Sequence, residues 1–323
     1  MTLRNFIDHV MEQLAPLYPQ QECKAMAVRM LKELLAGYKG YEHMVEPATE
    51  LDTFQIAPEG TAEGSQPSQQ HLGTEKYLLS CVERLATGEP LQYVMGFEWF
   101  CGHKFNVAPG VLIPRPETEE LVNKAIEFAQ AALQPQSAAP LRILDICTGS
   151  GCIAWSLAAA LPQSEVYACD ISQQALQIAR AQQIQCADCT PAKVKFLECD
   201  ILGEDVQQKI AQACGEGEFN LIISNPPYVC ECEKSQMREN VLNHEPHLAL
   251  FVPDNDPLKF YRAIAQLSGR ILAPGGALMF EINERFGAET AQMMQQMGYT
   301  NCQVLQDLFG KDRMVVGYKE SVS

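Results

Sequence analysis

The segment Asn225-Pro-Pro-Tyr228 follows directly on an apolar run, Leu221-Ile-Ile-Ser224. Two prolines donate no backbone hydrogen bond and fix the local chain, so carbonyls can be held pointing into a cleft. The Asn225 side-chain oxygen and the Pro226 carbonyl are then two acceptors for one planar –NH2 group, with the Tyr228 ring placed to pack on it. The nitrogen of such a group is a poor nucleophile because its lone pair is delocalised. Acceptors on its N–H bonds orient it and favour the positive charge that grows on nitrogen as it attacks.

A second segment, Ile143-Leu-Asp-Ile-Cys-Thr-Gly-Ser-Gly-Cys-Ile-Ala154, reads as a buried strand, a glycine turn and a helix start. Glycines let a ligand approach the backbone, and the helix N-terminus aims N–H groups at it. Asp170 ends the next candidate strand, where a carboxylate can accept both ribose hydroxyls of an adenosine. Alone, this pattern is common to dinucleotide enzymes and S-adenosylmethionine enzymes. Two acceptors for an –NH2 group have no use in hydride transfer, so the pair of motifs points to an amino methyltransferase. Placing nitrogen in line with a sulfonium methyl makes the step effectively unimolecular, worth on the order of 7–11 kcal/mol. No strong general base is required, since the proton can leave after transfer.

These segments need an open α/β sheet to hold them. Candidate strands are Arg142–Cys147, Glu165–Asp170, Lys193–Glu198, Phe219–Ser224, Ala277–Ile282, Cys302–Gln306 and Met314–Tyr318. Helical patterns at Ile153–Ala160, Gln173–Gln182, Pro257–Leu272 and Ala288–Met297 separate most of them, which predicts a parallel doubly wound sheet. The last two strands have no helix between them and are expected to form an antiparallel edge. Upstream, Glu117–Leu133 reads as a helix, and Tyr93–Ile113 as strands or a hairpin. Residues 1–45 and Glu75–Ala86 read as helices around a polar, Pro- and Gly-rich segment at 46–73, expected to be a mobile loop. The expected domains are a helical docking domain at 1–90, a β-hairpin linker at 91–115 and the catalytic domain at 116–323.

The 323 residues carry 24 Lys+Arg against 40 Asp+Glu, a net charge of −16, and the acidic excess holds both before and after residue 90. That argues against a protein gripping duplex nucleic acid through its phosphates. Thirteen cysteines, an odd number, with no apolar leader in Met1-Thr-Leu-Arg-Asn-Phe-Ile-Asp-His-Val, suggest reduced thiols in the cytoplasm. No apolar run has the roughly 18 residues of a membrane span.

The chain resembles the HemK/PrmC family, the protein-(glutamine) methyltransferases of class I peptide-chain release factors. Besides the two motifs, the resemblance rests on Gly88-Glu-Pro-Leu-Gln-Tyr-Val-Met-Gly96 and Val111-Leu-Ile-Pro-Arg-Pro-Glu-Thr-Glu-Glu-Leu-Val122. Further on it includes His244-Glu-Pro-His-Leu-Ala-Leu250, Pro274-Gly-Gly276 with Glu281, and Asp307-Leu-Phe-Gly-Lys-Asp-Arg313, all in the family's order. It covers about residues 75–320. It implies a Rossmann-like class I S-adenosylmethionine methyltransferase domain behind a small helical domain. S-adenosylmethionine is the implied donor, and the implied acceptor is a glutamine amide in a Gly-Gly-Gln loop. By position, Thr148, Gly149, Ser150 and Gly151 line the methionine and ribose end, Asp170 binds ribose, and Asp200 and Ile201 flank adenine. Asn225, Pro226, Pro227 and Tyr228 hold the substrate glutamine, with Asn225 also near the donor. Cys147, also in the donor loop, stands where the family commonly has glycine, and Ile201 where some members have an aromatic residue. The alternatives are a sister group acting on a ribosomal-protein glutamine, which tends to read differently at Pro114-Arg-Pro-Glu-Thr-Glu119, and nucleic-acid adenine methyltransferases.

Other residues carry weaker signals. Cys186, Cys189, Cys230 and Cys232 have spacings possible for zinc, but methyl transfer needs no metal and none is expected. His244 and His247 suit either a substrate channel or an ordinary loop. Arg115 and Glu117 suit a structural tie slightly better than a partner contact. Glu281 suits either the donor pocket or a sheet edge, and Met293–Met297 suits helix packing.

Overall fold

The computed structural model describes residues 1–35, 74–132, 140–186 and 190–321. The 46–73 segment and Cys189 lie outside the described residues. The chain divides into two compact units, Met1–Met95 and Gly96–Ser323.

The first unit holds α1 (Leu3–Leu14), α2 (Gln20–Leu35), α3 (Thr74–Leu85) and α4 (Leu91–Met95). Thr2 caps α1 by accepting the Asn5 N–H at 3.1 Å. Helical spacing puts Phe6, Ile7, Val10 and Leu14 on one buried face. They pack with Cys23, Met30, Leu78, Val82 and Leu85 of α2 and α3.

The second unit opens with the hairpin β1 (Phe97–Phe100) and β2 (His103–Asn106). Phe100 and Phe105 meet edge to face in its core, so the hairpin is part of this unit. α4 falls in the first unit. There follow α5 (Pro116–Ala132), β3 (Arg142–Ile146), α6 (Cys152–Ala160), β4 (Glu165–Asp170), α7 (Gln173–Arg180), β5 (Val194–Glu198), α8 (Val206–Cys214) and β6 (Phe219–Ser224). After β6 come the short β7 (Val229–Cys230), α9 (Glu239–His244), α10 (His247–Leu250) and β8 (Phe251–Val252). The chain then continues as α11 (Lys259–Ile271), β9 (Leu272–Glu281), α12 (Gly287–Gln296), β10 (Tyr299–Gln306) and β11 (Asp312–Lys319).

A seven-stranded sheet runs β10-β11-β9-β6-β3-β4-β5. The five strands from β9 to β5 are parallel. β11 is antiparallel to both neighbours, as expected for the edge. The order reverses at β3, with β4 on one side and β6 on the other, so the ligand-binding crevice falls at the C-terminal ends of these strands.

Strand alternation splits the apolar residues between two faces. Ile143, Leu221, Ile223, Ala277 and Met279 pack with Leu121 and Val122 of α5 and Leu157 of α6. Leu144, Ile222, Leu278 and Phe280 pack with Ile210 of α8, Ile264 of α11 and Met294 of α12. Both faces are thus covered, as a parallel sheet requires. Met293 and Met294 are core residues, so that stretch is helix packing.

Candidate active site

Parallel register fixes which strand ends meet. Ile146 pairs with Ser224, and Ser224 with Phe280. The Cys147 loop, the Asn225 segment and Glu281 therefore emerge side by side at one edge of the sheet. The Ser224 hydroxyl donates to the Ile146 carbonyl at 2.6 Å and locks the β3–β6 pair there.

The loop after β3 is built around two acids. Asp145 occupies a core-facing position of β3, fully buried. Its Oδ2 accepts the Thr148 hydroxyl at 2.5 Å and the Ala154 N–H, in the first turn of α6, at 3.2 Å. Its Oδ1 and the Ser150 hydroxyl are buried with no partner. Burial pushes the Asp145 carboxyl up to about 7, against the pull of those two donors. Asp170 ends β4; its Oδ2 accepts the Gly149 N–H at 2.8 Å and its Oδ1 the Ser172 N–H at 2.9 Å. Its pKa is also raised, again chiefly by burial. The Thr148 N–H donates to the Cys169 carbonyl at 3.0 Å, completing the stitch from the β3 loop to β4.

Cys147 has φ 62°, the left-handed region. An L-residue there carries a steric cost that glycine would not. Gly149 has φ 55°, and a Cβ added to it would meet nothing within 4 Å, so the loop opens toward free space at this residue. At the neighbouring strand end Asp200 Oδ1 accepts the Leu202 N–H at 2.9 Å. Ile201 is buried in the core with Cys169 and Cys199. The exposed apolar side chains at this edge are instead Ile171 and Leu202.

The Asn225–Tyr228 segment is pinned from both sides. Pro226 and Pro227 are buried and Asn225 is half-buried. The Tyr228 N–H donates to the Leu250 carbonyl at 3.2 Å. Asn283 Nδ2 donates to the Tyr228 carbonyl at 3.2 Å and to Glu233 at 2.9 Å. The Asn225 Nδ2 donates to Thr118 Oγ1 at 3.2 Å. Thr118 Oγ1 donates to Glu281 Oε2 at 2.6 Å, and the Tyr228 hydroxyl to Glu281 Oε1 at 2.9 Å. Burial raises the Glu281 pKa, opposed by the two hydroxyls and by Arg313. Burial is also the main cause that raises the Tyr228 phenol well above its usual range, keeping it a donor.

Glu245, passed over in the sequence between two histidines, is the buried residue of its motif. It accepts the Ile113 N–H at 3.0 Å and Arg115 Nη2 at 2.6 Å. It thereby ties the turn after β2 to the segment after α9, and gives Arg115 a structural role. His247 is exposed and bonds the Leu242 carbonyl at 2.8 Å. Thr118 and Asp145 were also missed. A polar residue at a core-facing strand position is a signal for Asp145; Thr118 looks like any first-turn helix residue. Cys186 has its thiol on the Ala159 carbonyl, and among the described residues no group of three or more His, Cys, Asp or Glu is disposed to hold a metal.

A glycine turn after β3, an acid at the end of β4 and Asn-Pro-Pro-Tyr after β6 of such a sheet define a class I methyltransferase. The model of the methyltransferase small domain accordingly matches residues 122–248. The relative in Bacteroides thetaiotaomicron named release factor glutamine methyltransferase is 38% identical over 315 residues, 95% of this chain and 96% of that one. The one of that name in Flavobacterium psychrophilum is 37% identical over 316 residues, 98% of each chain. The chain belongs to the release factor glutamine methyltransferase family. The crystal structure of a protein-(glutamine-N5) methyltransferase (release factor-specific) from Alicyclobacillus acidocaldarius aligns at 26% identity over 67% of this chain and 99% of that one, with a TM-score of 0.40.

The donor loop fits S-adenosylmethionine, the methyl donor of this fold family. Two orphaned buried polar atoms and two raised carboxyls suit a ligand carrying an ammonium, a sulfonium and a ribose diol. Among the described residues no helix is long and apolar enough to cross a membrane.

Proposed function

We propose that the protein transfers the methyl of S-adenosylmethionine to the side-chain amide nitrogen of the glutamine in the Gly-Gly-Gln loop of class I peptide-chain release factors. The observation that carries this reading is the position of Asn225-Pro-Pro-Tyr228. It stands at the sheet edge beside the donor loop, with Tyr228 held by Glu281 and by the Leu250 carbonyl.

When bound, the donor supplies an electrophilic methyl on positively charged sulfur. Asp170 takes the ribose hydroxyls; each of its oxygens has accepted one N–H and keeps a lone pair. Asp145 and the 147–151 loop surround the methionine end. Ile171, exposed directly after Asp170, offers an apolar face to the base. Asn225 Oδ1 and the Pro226 carbonyl accept the two N–H bonds of the glutamine amide and aim its nitrogen at the methyl. The pinned segment does this without reorganising, which is where such a site gains most. Both acceptors are spent on a primary amide, so a substrate oxygen at that place would meet oxygen. Solvent takes the proton after transfer.

The test is methyl transfer from labelled S-adenosylmethionine to purified release factor. Beside it run a factor lacking the Gly-Gly-Gln glutamine, ribosomal proteins and DNA. Label on the intact factor alone supports the proposal, and label on ribosomal protein or DNA with none on the factor overturns it.

A further inference from the structure

Asn225 is useful to an –NH2 group only one way round. A primary amide presents an acceptor on one side and two donors on the other. If Nδ2 faced the substrate, donor would meet donor and the nitrogen would be pushed away. Nothing in Asn225 itself chooses between the two orientations, because they differ by a half-turn about one bond and have nearly the same shape.

The neighbours make the choice. Glu281 ends β9 with its carboxylate buried, and an ionised carboxylate only accepts. Its two oxygens take the Thr118 hydroxyl at 2.6 Å and the Tyr228 hydroxyl at 2.9 Å. Thr118, itself 2% exposed, has one hydroxyl hydrogen, and it is given to Glu281. Toward Asn225 its oxygen can then only accept, and the group within reach is Nδ2 at 3.2 Å. The reversed amide would set Oδ1 against an oxygen with no hydrogen left to give. That would bury two unpaired acceptors face to face, a cost of a different order from losing one exposed bond.

We propose that Thr118 and Glu281 are positioning residues: through the Thr118 hydroxyl, the Glu281 carboxylate fixes the Asn225 amide with Nδ2 inward and Oδ1 toward the methyl acceptor. The proposal rests on the reading of Asn225 given above. It explains why three segments far apart in the chain converge here. Thr118 stands in the first turn of α5, and Pro116 and the acids Glu117 and Glu119 favour a helix start there. That start brings the hydroxyl to the gap between the ends of β6 and β9. Tyr228, at the other end of the acceptor segment, is tied to the same carboxylate, so one buried acid holds both ends.

Two experiments test it. In the first, side-chain amide NMR of isotope-labelled protein with no methyl acceptor present reads the orientation directly. Wild type should show slow exchange at the Asn225 Nδ2 protons and a nuclear Overhauser contact to the Thr118 β-proton. A fast-exchanging amide without that contact overturns the proposal, whatever the substrate is.

In the second, Thr118→Val keeps the shape and removes the hydroxyl, whereas Thr118→Ser keeps the hydroxyl. The valine variant should lose about 10- to 100-fold in kcat, with release-factor KM and donor Kd unchanged, and the serine variant should stay within about threefold of wild type. A valine variant with wild-type kcat, or a serine variant as impaired as the valine one, overturns the proposal. Failure of wild type itself to label release factor would instead reject the substrate reading, and the NMR result would still decide the orientation.

Discussion

Asp170 Oδ2 accepts the backbone N–H of Gly149 at 2.8 Å, so the acid that ends β4 also holds the turn that follows β3. The proposed ribose ligand is therefore part of the scaffold of the loop after β3 as well. Asp170→Ala removes the ribose acceptor and frees the turn together. Hydrogen bonds to a charged group contribute about 1.5–3 kcal/mol, so donor affinity should fall about 10- to 100-fold by calorimetry. Asp170→Asn, which keeps one acceptor oxygen, should fall between that variant and wild type. Unchanged affinity in the alanine variant would remove Asp170 from the donor site.

Cys147 pays a backbone cost that glycine would not. With φ at 62°, a side chain in this region costs on the order of 1–2 kcal/mol. Cys147→Gly relieves that strain but frees the unfolded chain by about 0.4–1 kcal/mol. It should melt close to wild type and bind donor normally. Cys147→Val, β-branched in the same conformation, should lose at least about 2 kcal/mol in thermal unfolding. A valine variant as stable as wild type would mean the loop does not hold this conformation in solution.

Asp145 makes stability depend on pH in a direction opposite to that of a salt-bridged acid. Its carboxyl is raised from 3.8 to about 7 by burial, so the folded state holds a proton that the unfolded chain has released. The stabilisation is complete below about pH 4 and falls as pH rises to about 7, the total loss over that range being up to about 4 kcal/mol. Asp145→Asn retains an acceptor for Thr148 and Ala154 and carries no titrating group. Denaturant unfolding from pH 5 to pH 8 should therefore show wild type losing stability relative to the variant. Parallel curves would show that Asp145 is ionised throughout in the folded protein.

The sequence was informative where local pattern and tertiary role coincide. β4 and β6 begin and end at Glu165–Asp170 and Phe219–Ser224, as expected, because each apolar run is bounded by polar or turn residues. β9 begins at Leu272, five residues before the expected Ala277, because Pro274-Gly-Gly276 reads locally as a break. There Gly276 allows a close approach to β6: a Cβ would lie 3.0 Å from the Asn220 carbonyl. α8 was missed because only Ile210 and Cys214 of its face are buried among glutamines and lysine. The motif residues Thr148 to Gly151, Asp170 and Asn225 to Tyr228 stand at strand ends, a placement that the local pattern of apolar run and turn already indicates. Thr118 was not visible, since it is 107 residues from Asn225 and 163 from Glu281. The register of β6 and β9 brings Asn225 and Glu281 together, and the packing of α5 on the sheet adds Thr118.

On the proposal above, Asn225 serves methyl transfer by holding the acceptor nitrogen, while the donor is held elsewhere. The most direct measurement is single-turnover methyl transfer to release factor by Asn225→Ala, with donor Kd measured on the same protein. The transfer rate should fall at least about 100-fold, comparable to deleting one group of a preorganised polar site, with Kd changed much less. Transfer at the wild-type rate, or a donor affinity that falls in step with a reduced rate, would mean that Asn225 does not act by holding the acceptor nitrogen.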